Sequence, residues 1–102
     1  MIVTVIHKAF EDEPVIVAEV NSPEILDEAL EYAYRWTNNI MGSWSRTDIL
    51  ENADANADVT VLAPLVEIDG KTYGHRSTSM RDLMIANGRT YEVSDFGFSE
   101  VA

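Results

Sequence analysis

Residues 76 to 83 read RSTSMRDL, directly after His75. The stretch brings an imidazole, hydroxyls, a carboxylate and two guanidinium groups within nine positions. Three kinds of chemistry can be built from such residues. His75, Ser77, Ser79 and Asp82 include the types of a serine triad, but a triad draws its members from separate elements around a cleft with an oxyanion donor. Neighbours in sequence rarely converge that way, so no catalytic set is expected here. Arg76, Ser77, Thr78, Ser79 and Arg81 form a candidate anion nest, in which free N–H groups, hydroxyls and guanidinium forks hold a phosphate or carboxylate. The third reading is structural. Ser79 accepts a backbone N–H two or three residues on, Asp82 reaches back as in a capping box, and one helical turn swings the chain between two hairpins. The structural turn is preferred, with the anion cradle as its rival.

Other chemistry-bearing residues offer less. DANAD, residues 54 to 58, sets Asp54, Asn56 and Asp58 at the first, third and fifth positions of a calcium loop. Val59 then stands where the sharp turn needs glycine and Leu65 where a bidentate glutamate belongs, so a solvated loop is expected. His7 alternates with Val3 and Val5 in a strand-like run and reads as a packed residue. With two histidines, no cysteine and no histidine pair at ligand spacing, neither a metal site nor a cofactor is expected. The absence of cysteine also fits a reducing cytoplasm, here that of a host cell.

Eighteen acidic residues against seven basic ones give the 102-residue chain a formal net charge of -11. Direct binding to duplex phosphate is disfavoured; solubility or a salty setting is the preferred reading of the acidity, and a partner with a basic surface is the sharper one. The charge is uneven: residues 70 to 91 hold Lys71, Arg76, Arg81 and Arg89 against Asp82, a local +3 on a body of -14. Such asymmetry also allows self-association. Candidate partner-binding residues are Glu24, Asp27, Glu28 and Glu31, on the wet face of a helix, and Trp44, which is either a plug on the sheet or an exposed anchor. No apolar run approaches the roughly 20 residues that span a bilayer. Nor does a basic segment followed by an apolar one open the chain, so no membrane association or cleaved leader is expected.

The positioning elements follow from periodicity, and one domain is expected over residues 1–102. IVTVIHKAF and VIVAEV are β-branched runs separated by EDEP, giving a hairpin over residues 1–20. A helix is expected over 22–39, with Ser22 as N-cap, Pro23 at the first helical position and Asn38 and Asn39 ending it. Its apolar stripe is Ile25, Leu26, Ala29, Leu30, Ala33 and Trp36. On the wet face, Glu24 with Glu28 and Asp27 with Glu31 repel by a few tenths of a kcal/mol, roughly what Glu31 with Arg35 returns. Residues 40–58 lack clean periodicity and read as a long connection. From 59 to 102 come strands and hairpins: LVEI and KTY about Asp69-Gly70, then DLMIA and RTYEV about Asn87-Gly88. The latter turn predicts Met84 opposite Tyr91 and Ile85 opposite Thr90. The tail DFGFSEV places Phe96 and Phe98 on one face of a docked extended segment. The fold class expected is α+β, one main helix packed on an antiparallel sheet of consecutive hairpins.

The tail also carries a pattern: an R-S-x-S-[VM]-x-D run leading to a hairpin that ends Y-x-V and then G-F. Its positions are Arg76, Ser77, Ser79, Met80, Asp82, Tyr91, Val93, Gly97 and Phe98. In this the chain resembles the C-terminal part of YodL-like domains and small orphan proteins of phages and other mobile elements, over about a quarter of its length. Arg81 departs from the small residue that pattern has there, and the LVEIDGKTY hairpin reads as an insertion. The resemblance implies no assigned activity and a setting among small accessory proteins of mobile genetic elements, some of which act on host machinery. A non-enzymatic protein that binds a host protein through an acidic surface is therefore the leading expectation. A small-anion binding module and a self-assembling subunit are the alternatives.

Overall fold

A computed structural model describes residues 1–101. The element order is β1 (Ile2–His7), β2 (Val15–Asn21), α1 (Leu26–Trp36), β3 (Val59–Val61), β4 (Val66–Ile68), β5 (Lys71–Tyr73), β6 (Leu83–Ala86), β7 (Arg89–Ser94) and β8 (Gly97–Glu100). Six strands form one antiparallel sheet in the order β3-β2-β1-β6-β7-β8, while β4 and β5 pair as a separate two-stranded arm. The fold is α+β, with one helix on a mostly antiparallel sheet.

Side chains alternate across the sheet, so each strand sends every second residue toward the helix. Val3 and Val5 of β1, Ala18 and Val20 of β2, Met84 and Ala86 of β6, and Tyr91 and Val93 of β7 are buried there with Ala29, Leu30 and Ala33 of α1. Small residues on α1 let it lie close to the central strands. The opposite sheet face carries Ile6, Leu83 and Ile85 at its centre and exposed Ile2 and Ile16 toward its margin. Where β2 pairs with β1, the register skips Val17, and this bulge buries Val17 and Ala18 in succession.

The third hairpin forms with the expected register, Met84 opposite Tyr91 and Ile85 opposite Thr90. Asn87 and Gly88 both take positive φ, as the two-residue turn requires. The helix is shorter than the capping signals suggest. It begins after Ile25, which has extended backbone and makes no side-chain cap, while the Ser22 hydroxyl donates to Val20 O. The Ser22 N–H donates to Met1 O beside β1, so Ser22 continues the edge of the sheet. Glu24 and Ile25 thus lie outside α1, and Ile25 is exposed rather than part of the buried stripe. At the other end Thr37 Oγ1 donates to Ala33 O and Asn38 Nδ2 to Tyr34 O, satisfying the last carbonyls. The tail forms β8 on β7, with Phe98 edge-on to Tyr34, but Phe96 sits at the turn and is fully exposed.

The 40–58 connection contains no strand or helix and is nevertheless highly ordered by its own polar side chains. Asn52 binds Ser43 on both sides, accepting its N–H and donating to its carbonyl, and donates again to Arg46 O. Trp44 inside this connection is 0% exposed and its indole N–H donates to Arg76 O. It is the plug of the two sequence readings, not a surface anchor.

Candidate functional site

The serine-rich octet is an extended strap followed by a tight turn. Residues 76–79 belong to no helix or strand, and the first three are tied to other parts of the molecule. Arg76 O accepts from Trp44, Ser77 Oγ accepts from the Asn39 N–H, and the Thr78 N–H donates to Thr37 O. Asp82 N–H closes a four-residue turn on Ser79 O, and Asp82 Oδ2 reaches back to the Ser79 N–H at 2.8 Å. That reach-back is half of the expected capping box. The other half is absent: the Ser79 hydroxyl donates to Ser77 O, and no helical turn follows. Arg81 occupies the third position of the turn at φ +76°, where glycine or asparagine is normally needed.

Arg76 is the hub of the strap, and its hydrogen bonds can be counted. A guanidinium has five N–H donors. Nε and Nη2 donate to Glu11, Nη1 and Nη2 donate to Asp82, and the remaining Nη1 donor goes to Ser77 O. All five are used inside the protein. Asp82, itself wholly buried, accepts from the Lys8 and Ala9 N–H groups as well as from Ser79 and Arg76. Burial alone would raise its pKa, but Arg76 and the three backbone donors outweigh it and hold the carboxyl at about 2. Arg76 is correspondingly raised, and hydrogen bonding to Arg76 lowers Glu11.

The anion nest weighed as the rival reading at Arg76, Ser77, Thr78, Ser79 and Arg81 is therefore already filled. The protein's own Asp82 occupies it, Thr78 is buried and only Arg81 among these five presents an exposed side chain without an ion-pair partner among the described residues. The local +3 also disperses: Arg76 pairs inward and Arg89 pairs with Glu100. A second nest appears where no anion was expected. Three successive N–H groups, of Ile40, Met41 and Gly42, converge on Asp54 Oδ2 at 2.6 to 2.7 Å, and Arg35 adds a donor to Oδ1. Burial would raise the Asp54 pKa, yet these donors leave it lowered. DANAD is thus neither a calcium loop nor a solvated one; its first aspartate is a buried keystone. Among the described residues no group of three or more potential metal-ligating side chains converges.

His7, read as a packed strand residue, belongs to this system. Its Nε2 lies 2.9 Å from Thr78 Oγ1, whose hydroxyl donates to Thr37 Oγ1, whose hydroxyl in turn donates to Ala33 O. Since each hydroxyl has one proton, His7 must supply the proton of its own bond, fixing the Nε2–H tautomer. Burial, reinforced by Arg76, pulls its pKa down from 6.5 to about 4, so the ring is neutral. His75 Nε2 lies 2.9 Å from Ala63 O, a pure acceptor, and Trp44 sits between the two imidazoles at 6.2 and 5.9 Å between ring centres. His7, His75, Glu11 and Arg76 line a cleft of about 390 Å³ whose apolar wall is Val15, Val17, Ala63, Pro64 and Val66. Sequence spacing could not have joined these groups, because Glu11 and Arg76 lie 65 positions apart.

A second surface lies on α1. Asp27, Glu28 and Glu31 are exposed and, with Pro23, Tyr32 and Arg35, line a shallow groove of about 760 Å³. None of these carboxylates has a cationic partner among the described residues. The expected Glu31 to Arg35 pair does not form, because Arg35 turns to Asp54 and stacks over Trp36 at 4.0 Å. Glu24 leaves this set and pairs with the Met1 amino group at 2.9 Å. No family model matches the chain, and no curated protein or solved structure matches it.

Proposed function

We propose that this chain is a small non-enzymatic accessory protein of phage or mobile-element type that binds a basic surface of a host protein. The observation that carries this reading is the imbalance of unpaired charge. Of eighteen acidic side chains, seven take part in ion pairs and eleven do not, while Lys71 and Arg81 are the cationic side chains left unpaired among the described residues. The α1 groove concentrates three of those eleven carboxylates beside Tyr32, an arrangement suited to lysine and arginine side chains. The resemblance of the tail to mobile-element proteins supports the setting. The small-anion alternative loses its principal donor, since Arg76 has none to spare.

The test is capture from candidate host extract over a range of salt. Capture by the unmodified chain is expected to fall steeply with ionic strength, and Asp27→Asn/Glu28→Gln/Glu31→Gln is expected to lose it while melting at the same temperature. Equal capture by that variant, or capture indifferent to salt, refutes the reading.

A further inference from the structure

The sheet is covered on one face. Ala29 and Leu30 of the helix and Trp44 of the long connection share a core cluster with Val3, Val5 and Met84, Thr78 of the strap meets His7, and Val66 of the arm lines a cleft with His7 and Val17. All of these lie on the same side. On the other side the register sets apolar residues next to one another. Ile6 of β1 stands directly opposite Ile16 of β2 and Leu83 of β6, and Thr4 stands opposite Ile85. With Ile2, on the same face of β1, they make an aliphatic patch across three neighbouring strands. None of these five aliphatic residues belongs to the core cluster, and Ile2 and Ile16 are about half exposed.

Charge is scarce on this face. Its strand positions hold two carboxylates, Glu19 and Glu92, and Lys8 lies 3.8 Å from Glu92. Glu19 is then the uncompensated charge there, on a chain of net charge -11. A basic partner is drawn to the acidic surfaces elsewhere, whereas this face offers apolar area with little charge. Its size also decides between occupants. Six strands about 4.8 Å apart, with about five residues each, give roughly 500 Å² per face and about 1,000 Å² per pair of faces. That is about the area at which a specific interface becomes stable, and a flat sheet can supply it by packing on its own copy.

We infer that two copies of this chain associate through their open sheet faces, related by a two-fold axis. Ile2, Ile6, Ile16, Leu83 and Ile85 of each copy fill the space between the sheets. Helix α1 lies on the far side of each sheet, so the acidic helices become the outermost layers. Two sheets and the roughly 10 Å between them keep those helices farther apart than the Debye length of about 8 Å at physiological salt, so the acidic faces scarcely oppose pairing. The inference does not depend on the α1 groove, which stays open in the pair.

Sedimentation velocity and methyl NMR on the full chain, from micromolar to millimolar concentration, test it. The mass is expected to rise from monomer to dimer and to stop there, because a face that pairs with its own copy is used up by pairing. The methyl resonances of Ile2, Ile6, Ile16 and Ile85 are expected to move with concentration, while those of Ile25 and Ile40, exposed elsewhere, stay in place. Ile16→Lys is expected to weaken the dimer by on the order of a hundredfold, since each pair then buries two ammonium groups, and to leave the circular dichroism of the monomer unchanged. The methyl pattern of the unmodified chain decides the matter even where the variant unfolds. A chain that stays monomeric throughout, an assembly that grows beyond two copies, a dimer indifferent to Ile16→Lys, or shifts centred on Ile25 or Ile40 each overturn the inference.

Discussion

Asp82 illustrates how one side chain can organise a segment. With the Arg76 guanidinium paired to it and three backbone N–H groups aimed at it, replacing the wholly buried carboxylate strands several donors at once. Asp82→Ala is expected to cost about 3–5 kcal/mol in urea unfolding, the range for breaking one side of a buried ion pair. Arg81 predicts the opposite sign. Its φ of +76° strains an L-residue, so Arg81→Gly is expected to stabilise by about 1 kcal/mol in the same measurement. Acid titration separates the two buried titrating groups. The unfolded His7 protonates near 6.5 and the folded one near 4, so the unfolded chain binds more protons between those values. Stability is then flat above 6.5 and falls by on the order of 3 kcal/mol as pH drops to 4, with Arg76 and His75 opposing the imidazolium and Asp82 and Glu11 favouring it. The Asp82 contribution is complete above 3.8 and disappears as pH falls through 2. In His7→Gln the upper part of this acid transition is expected to flatten and the lower part to remain.

Among the elements, the β4–β5 arm is the least supported. An isolated two-stranded hairpin is marginal in water, and Val66, Ile68 and Tyr73 are all about half exposed. Amide exchange is expected to be much faster at Val66 and Tyr73 than at Val5 and Met84, and comparable protection throughout contradicts an independent arm. Gly74 joins the arm to the strap, and a Cβ there would come within 2.1 Å of Ser43 Oγ and 2.9 Å of Ser45 Oγ. Gly74→Ala is therefore expected to lower the melting temperature and loosen the Ser45 to His75 hydrogen bond. The hairpins were legible in the sequence because β-branched alternation and the Asn87-Gly88 turn are local signals. The start of α1 was not, since the Ser22 hydroxyl turns back to Val20 O and the helix begins only after Ile25, which carries no capping side chain. Likewise, nothing local at Asp54 reveals that three N–H groups twelve to fourteen positions upstream will fold onto it. The octet's turn and the reach-back of Asp82 were legible locally, although the turn is tight and not helical; the other donors to that carboxylate, the Lys8 and Ala9 N–H groups, come across from the first hairpin loop and leave no local signal.

At the scale of the whole molecule, eleven carboxylates that are unpaired among the described residues repel one another on a chain only 42 Å in its longest dimension. Screening this repulsion is expected to outweigh the weakening of exposed ion pairs such as Arg46–Asp48 and Arg89–Glu100, so added sodium chloride should raise the melting temperature. A fall in melting temperature with salt would show that the pairs dominate. The sealed position of Trp44 has a practical consequence as well. Its indole is shut away from solvent, bonded to the strap through Arg76 O and flanked by His7 and His75, whereas Trp36 is partly open beside Arg35. The molecule thus contains its own optical gauge: the blue-shifted part of its fluorescence comes from the one indole placed to feel the strap loosen or the His7 imidazole gain a proton.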